Sequence, residues 1–288
     1  MKLKLLRKVV LDYPSGSALE YHNGSLYVIG DDVHYILSLD DQWNIIRRIE
    51  LFESVWERIP KPDKPDIECA AVIGDVLYLL GSGSKSPQRD VAFIVQLSDC
   101  SVKKINTAAF YGIFRDRNLV GEMNIEGFTG CRDRLLLFNR GNTSQPNSLI
   151  ITDRKILKNQ FPDRFKVIPV EIGSLDNIML GISGAGYCEV NDVLFLTASA
   201  ENTSNTYDDG DIIGSVLGIV YDASTALDAS IFTVKHLVAL DKVDAVFSKQ
   251  KIESVCITRQ LDKNYNCVLV ADNDDGKSVL FEIEIQLS

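Results

Sequence analysis

Residues 123–142 read MNIEGFTGCRDRLLLFNRGN. Glu126 opens a short mixed segment, a polar turn follows at Arg132-Asp133, and a strongly apolar run, Leu135 to Phe138, ends in Asn139 and Arg140. Two short β-like segments flanking a tight polar turn are the signature of a β-hairpin. The charge at its head is costly, because a buried carboxylate is strongly penalised unless it is paired. The fold must therefore give Glu126 somewhere to go.

The same hairpin recurs. Its relatives are PSGSALEYHNGSLYVIGDD from Pro14, DIECAAVIGDVLYLLGSGS from Asp66, GISGAGYCEVNDVLFLTASAE from Gly181 and KIESVCITRQLDKNYNCVLVADNDD from Lys251. Each has a Glu or Ser followed by a small residue, then a turn at Asn23-Gly24, Gly74-Asp75, Asn191-Asp192 or Lys263-Asn264, and then an apolar strand. Taking Ser15, Glu68, Glu126, Ser183 and Glu253 as equivalent positions gives spacings of 53, 58, 57 and 70 residues. Two more β-like runs follow each hairpin, such as YILSLD (35–40) and IIRRIEL (45–51). The fifth repeat has only SVLFEIEI (278–285), and its missing strand is supplied by LKLLRKVVL (3–11).

A four-stranded antiparallel module repeated about every 57 residues, and closed by pairing the first segment with the last module, predicts an all-β, five-bladed β-propeller over residues 1–288. Its blades begin near 14, 66, 124, 181 and 251. The alternatives are a large β-sandwich, which has no reason to repeat one hairpin at near-constant intervals, and a six-bladed ring. Six blades require extra strands in the long fourth span, where residues 201–213 (ENTSNTYDDGDII) read as a polar loop.

The bulk properties agree. A 45% hydrophobic share can fill a sizeable core and excludes a disordered chain. The net charge of −10, with scattered lysines and arginines, leaves no footprint for nucleic-acid binding. The segment MKLKLLRKVVLDY is interrupted by Arg7 and Lys8 too early for a signal-peptide core, and no window approaches a membrane span, so a cytoplasmic protein is expected. The six cysteines form no CxxC pair and read as reduced, mostly buried thiols.

In a propeller the first strand of each blade lines the central channel and the second returns beside it. Ser15, Glu68, Glu126, Ser183 and Glu253 are therefore expected around one channel mouth. Near them should lie the second-strand ends: Asp31, Asp32, Ser82, Ser84, Asn139, Arg140, Thr197, Ser199, Asp272 and Asn273. Two carboxylates about 6 Å apart at an effective dielectric near 20 repel by roughly 3 kcal/mol. A bound cation, neighbouring Arg or Lys side chains, or protonation would offset this. A Ca²⁺ ion or another divalent cation held by Glu68, Glu126, Glu253 and Asp272 is one expectation. Ion pairs to Arg140 and Arg89 are the other.

Other motifs carry less. His22, His34 and His236 fall in a turn, a third-strand approach and an outer strand, and none is at ligand spacing with another His or Cys. GSGS (81–84) lacks the GK[ST] of a phosphate loop, and YDDGD (207–211) and DNDDG (272–276) lack the later glutamate of an EF-hand. Phe52, Trp56, Tyr111, Phe114 and Phe247 stand on the longer connections, either as pocket walls or as anchors for the loops.

The series KPDIE…LYLLGSGS, NIEGF…LLLFNRGN and KIES…VLVADNDDG resembles a group of bacterial propellers related to the esterase-like phytase family. The resemblance implies a propeller and a hydrolase acting on esters or phosphoesters. The aspartate-rich signature of established propeller phytases is missing, so no catalytic position is carried over. Two functions follow as expectations: a metal-assisted phosphoester, ester or lactone hydrolase at the axial face, or a non-catalytic propeller binding a small polar ligand or a protein there.

Overall fold

A computed structural model describes residues 1–158, 160, 162, 164–201, 210–273 and 275–287. The first strand, β1 (Lys2–Leu11), is followed by blade one, β2 (Gly16–His22), β3 (Ser25–Gly30), β4 (Tyr35–Leu39) and β5 (Ile45–Glu50). Blade two is β6 (Ile67–Ile73), β7 (Val76–Gly81), β8 (Val91–Gln96) and β9 (Val102–Asn106), and helix α1 (Ala108–Asp116) leads to the next blade. Blade three is β10 (Ile125–Cys131), β11 (Arg134–Asn139), β12 (Ser148–Asp153) and β13 (Phe165–Glu171). Blade four contains β14 (Ser174–Leu175), β15 (Ile178–Cys188), β16 (Val193–Glu201) and β17 (Ile212–Val220). After α2 (Ala223–Ala226) come β18 (Phe232–Thr233) and β19 (His236–Ala239), and blade five is β20 (Ile252–Leu261), β21 (Asn264–Asp272) and β22 (Ser278–Gln286).

The five sheets form a five-bladed β-propeller. Each inner strand packs against the next, in the order β2, β6, β10, β15, β20 and back to β2. β1 pairs antiparallel with β22, from Lys2 opposite Gln286 to Leu11 opposite Ser278, so the last sheet is built from both ends of the chain. Joining the first and last blades leaves the ring without an open seam. The long fourth span adds α2 and β18, and β18 pairs in parallel with β13 of blade three. The run TVKHLVAL (233–240) is thus split between two blades, Thr233 in β18 and His236–Ala239 in β19, and no sixth sheet forms among the described residues.

The turn chemistry explains the hairpins. Asn23 and Gly24 both have positive φ, 47° and 80°, the conformation of a type I′ turn that matches strand twist. An apolar cluster fills every gap between blades. Phe138 and Leu149 of blade three, for example, meet Leu194 and Leu196 of blade four. These are the apolar second strands read from the sequence, buried on both faces. The six cysteines are free, and five of them are buried. Among the described residues no helix is long and apolar enough to cross a membrane.

One irregularity repeats with the fold. In all five blades the pairing of the first and second strands slips by one residue near the start of the inner strand. The residues left over are Ser17, Glu68, Glu126, Ser183 and Glu253. A bulge re-aims the extra side chain, and here it does so at the same level of every blade. This corrects the expected set at one position: the blade-one equivalent is Ser17, two residues beyond Ser15.

Candidate functional site

The bulged residues lie at one mouth of the channel. Ser17 Oγ donates to the Ile67 carbonyl of the next inner strand at 2.5 Å, and Ser183 Oγ does the same to Ile252 at 2.6 Å. Each serine therefore ties its blade to the neighbour just before that neighbour's own bulge. The crowding also explains the small residue that follows: a Cβ on Gly184 would come within 2.7 Å of the Ser254 Cα.

The three glutamates have different partners. Glu126 accepts from Asn124 Nδ2 at 2.6 Å and from Arg140 Nη1 at 2.7 Å. Glu253 pairs with Lys251 Nζ at 3.1 Å, with Arg140 Nη1 at 3.9 Å. Arg140 also reaches Glu201 at 2.8 Å, and Lys251 lies 3.9 Å from the same carboxylate. All five of these side chains are buried or nearly so, and both cations are held charged. Burial alone would lower them, but the surrounding carboxylates raise Arg140 and Lys251 above their ordinary values. Burial pushes Glu253 up to about 7, with Glu126 adding to the effect and Lys251 and Arg140 opposing it.

Glu68 belongs to a second group. Lys64 bridges Asp31 and Asp66, the latter at 2.8 Å, and Arg89 Nη1 holds Asp66 at 2.6 Å. Arg58 pairs with Asp32 at 2.7 Å and donates to Ser15 Oγ at 3.0 Å, and the Asp272 charge acts on it from the fifth blade. Asn273 is a structural tie, accepting the Lys251 N–H at 3.2 Å. Among the described residues no cation lies within ion-pair distance of Glu68. Burial pushes its carboxyl well above the ordinary glutamate range, and the neighbouring Asp66, Asp31 and Glu126 charges push it further.

Ion pairs, one of the two expected ways of relieving the acidic ring, are thus formed by most of its carboxylates. The ion pairs include Arg140 and Arg89, as the sequence suggested. They also use Lys64, Lys251 and Glu201, which were not anticipated, although Lys64 and Lys251 stand two residues before Asp66 and Glu253 in the matching strings KPD and KIE. Glu201 was read as the start of a polar loop and is instead the last residue of β16. Residues 202–209 of that reading, with most of YDDGD, lie outside the described residues, as does Asp274 of DNDDG, and Ile212 and Ile213, also read as loop, begin β17.

Among the described residues, the group of three carboxylates whose oxygens all lie within 4.8 Å of one another is Asp31, Asp66 and Glu68. This acidic triad has the donor chemistry of a hard-cation site, and it shares only Glu68 with the expected metal set. Glu126 and Glu253 instead have Arg140 and Lys251 for countercharge. Within the triad, Lys64 already brings a positive charge to Asp31 and Asp66.

Four of the five aromatics on the connections are anchors, not walls of this mouth. Tyr111, Phe114 and Phe247 are fully buried, Phe52 stacks on Phe93 at 5.5 Å, and Trp56 is 57% exposed. YGIFRD, expected as loop, is largely α1, whose Tyr111 and Phe114 plug the gap between blades two and three. His34 and His236 lie where the repeat placed them, whereas His22, expected in a turn, is the last residue of β2; His22 meets Asp75 and His34 meets Glu50, neither of them part of this group.

Comparison with known proteins places this architecture in a family. The chain belongs to a protein family of unknown function, DUF6929, whose model matches residues 12–285. No curated protein matches it. Among solved structures, Myxococcus xanthus glutaminyl cyclase aligns over 99% of this chain and 97% of its own, at 11% identity and a TM-score of 0.59. A structure described under the GH130 family of mannoside phosphorylases, which contains glycoside hydrolases that target β-1,2 mannosidic linkages in Candida mannan, covers 94% of this chain and 85% of its own. Its identity is 11% and its TM-score 0.53, so both likenesses are of fold.

Proposed function

We propose that this member of the family binds a small neutral or cationic polar molecule at the channel mouth, and that Glu68 moves a proton on it. The substrate class is a carbonyl compound: an ester, a lactone or an amide. The observation that carries the reading is Glu68 itself, a carboxyl without an ion-pair partner and raised by burial beside Asp66 and Asp31. A carboxyl raised above its ordinary range is a stronger base when ionised, so it can accept a proton from an attacking water or amine and return it to the leaving group. The paired cations around it are committed to carboxylates, which disfavours a phosphoester dianion.

The phytase-like sequence resemblance supports ester chemistry. Glutaminyl cyclase, by its name, closes a ring on a glutaminyl residue, so N-terminal glutaminyl peptides join the test substrates. The experiment is a screen of esters, lactones and such peptides at pH 5–9 with chelator present. The expected result is turnover that survives chelation and falls at least 100-fold in Glu68→Gln, in the range of a general acid–base contribution. Turnover unchanged in Glu68→Gln would overturn it.

A second reading rests on the spacing of Asp31, Asp66 and Glu68: a divalent cation such as Ca²⁺ sits on this triad and activates water for hydrolysis. It is favoured if activity appears only with added metal and calorimetry records Ca²⁺ binding that Glu68→Gln removes. Ligand binding without turnover under any condition would instead support a non-catalytic propeller that holds a small polar ligand or a protein partner.

A further inference from the structure

Farther along the channel from the acidic mouth lies a cavity of about 440 Å³. All five inner strands contribute to it, through Glu20 of β2, Val72 of β6, Gly130 of β10, Tyr187 of β15 and Ile257 of β20. Each of these stands three or four residues beyond the bulged residue of its own strand, about 10–13 Å down an extended chain. At this level each inner strand is paired through one edge, so its other edge turns backbone N–H and C=O groups toward the axis. Gly130 and Gly186 leave that backbone uncovered.

Glu20 brings a carboxyl to this space. The residue is half-buried, so it keeps surface open to the cavity it lines. Among the described residues no Lys or Arg pairs with it. Burial pushes the carboxyl up to about 8, and the backbone N–H groups of Val72 and Tyr21 oppose the shift. The cations around the cavity are engaged elsewhere: Arg132 lies 3.9 Å from Asp192, Arg154 donates to the Arg132 carbonyl, and His22 meets Asp75 at 3.0 Å. A carboxylate drawn partly out of water without a countercharge is unfavourable until a cation reaches it.

We propose that this part of the channel is a second binding site, for a small hydroxylated primary amine whose ammonium meets the Glu20 carboxylate and whose hydroxyls meet the free backbone edges of the inner strands. The volume selects an organic cation over a bare ion, since a water molecule takes only about 30 Å³. The backbone donors and acceptors select hydroxyl groups over an apolar body, because a hydroxyl can both donate and accept.

The test is calorimetric titration of the intact protein at pH 8 with glucamine, a six-carbon amino alcohol, and with sorbitol, which carries a hydroxyl in place of its ammonium. The expected result is saturable binding of glucamine, with sorbitol weaker by about tenfold or more for want of one charge-assisted hydrogen bond. Glu20→Gln weakens glucamine by a similar factor. Gly130→Leu fills the cavity and abolishes binding, at a position where an added Cβ would meet nothing nearer than the Ile73 side chain at 3.8 Å. Should that variant not fold, Glu20→Gln decides. Absence of saturable glucamine binding overturns the proposal. So does equal binding of sorbitol, glucamine binding unchanged in Glu20→Gln, or binding lost in Glu68→Gln, which would place the amine at the acidic mouth instead.

Discussion

The two arcs of the channel mouth are built on the same bulged hairpin and differ two residues before the axial glutamate. On one arc that position is Asn124 or Lys251, and each donates to its own Glu126 or Glu253. On the other it is Asp66, a second acid, which takes Lys64 and Arg89 for itself. The backbone is the same in both places. One arc is an ion-pair lattice around Arg140, in which even the raised Glu253 has Lys251 beside it, and the other leaves Glu68 raised with no ion-pair partner among the described residues. A site that is fully compensated serves stability, whereas one left uncompensated can exchange a proton.

The largest effect expected from breaking this contrast is on the ion-paired arc. Arg140→Met strands Glu126 and Glu201 as buried charges and should cost about 3–5 kcal/mol in denaturant unfolding. Arg58→Met, which removes a half-exposed partner of Asp32, should cost under about 1 kcal/mol. Asn124→Asp would give Glu126 the acidic neighbour that Glu68 has. The added repulsion between two buried carboxylates should cost about 1–3 kcal/mol in denaturant unfolding.

Glu68→Gln should act in the opposite direction. A carboxyl whose folded pKa is raised opposes folding once the pH exceeds its unfolded value, because the unfolded chain can ionise and the folded site resists. The wild type should therefore lose stability relative to the variant as pH rises from about 4.5 toward the raised folded value. Melting curves at pH 5, 7 and 8 would show a gap that widens with pH, and a gap that narrows would contradict the unpaired state of Glu68. Ser183→Ala, which removes one strand-to-strand hydrogen bond, should cost about 1 kcal/mol in denaturant unfolding.

Much of the fold could be read along the chain. Turns such as Asn23-Gly24 and apolar runs such as LLLF are local signals, and their recurrence disclosed five blades and the closing role of residues 3–11. The register was harder. PSGS offers two serines, and only the bulge, which needs the paired strand, assigns Ser17 to the axis and leaves Ser15 as a partner of Arg58. Helix α1 was missed because Tyr111 and Phe114 read as loop aromatics. In the molecule they are buried in a gap between two blades. Glu201 was hidden behind a polar composition that describes the residues after it.

The amino-acid sequence alone determined the repeat, its antiparallel hairpins, the circular closure and the gathering of acids on one face, because each follows from patterns spanning a few residues. The three-dimensional structure decided which acids are neutralised. Arg140 meets a glutamate 61 residues away, and Lys64 meets an aspartate 33 residues before it. Such pairings depend on how blades are placed around an axis, and so does the upward shift of the Glu68 carboxyl, since the ionisation of a buried group is set by whatever stands next to it in space.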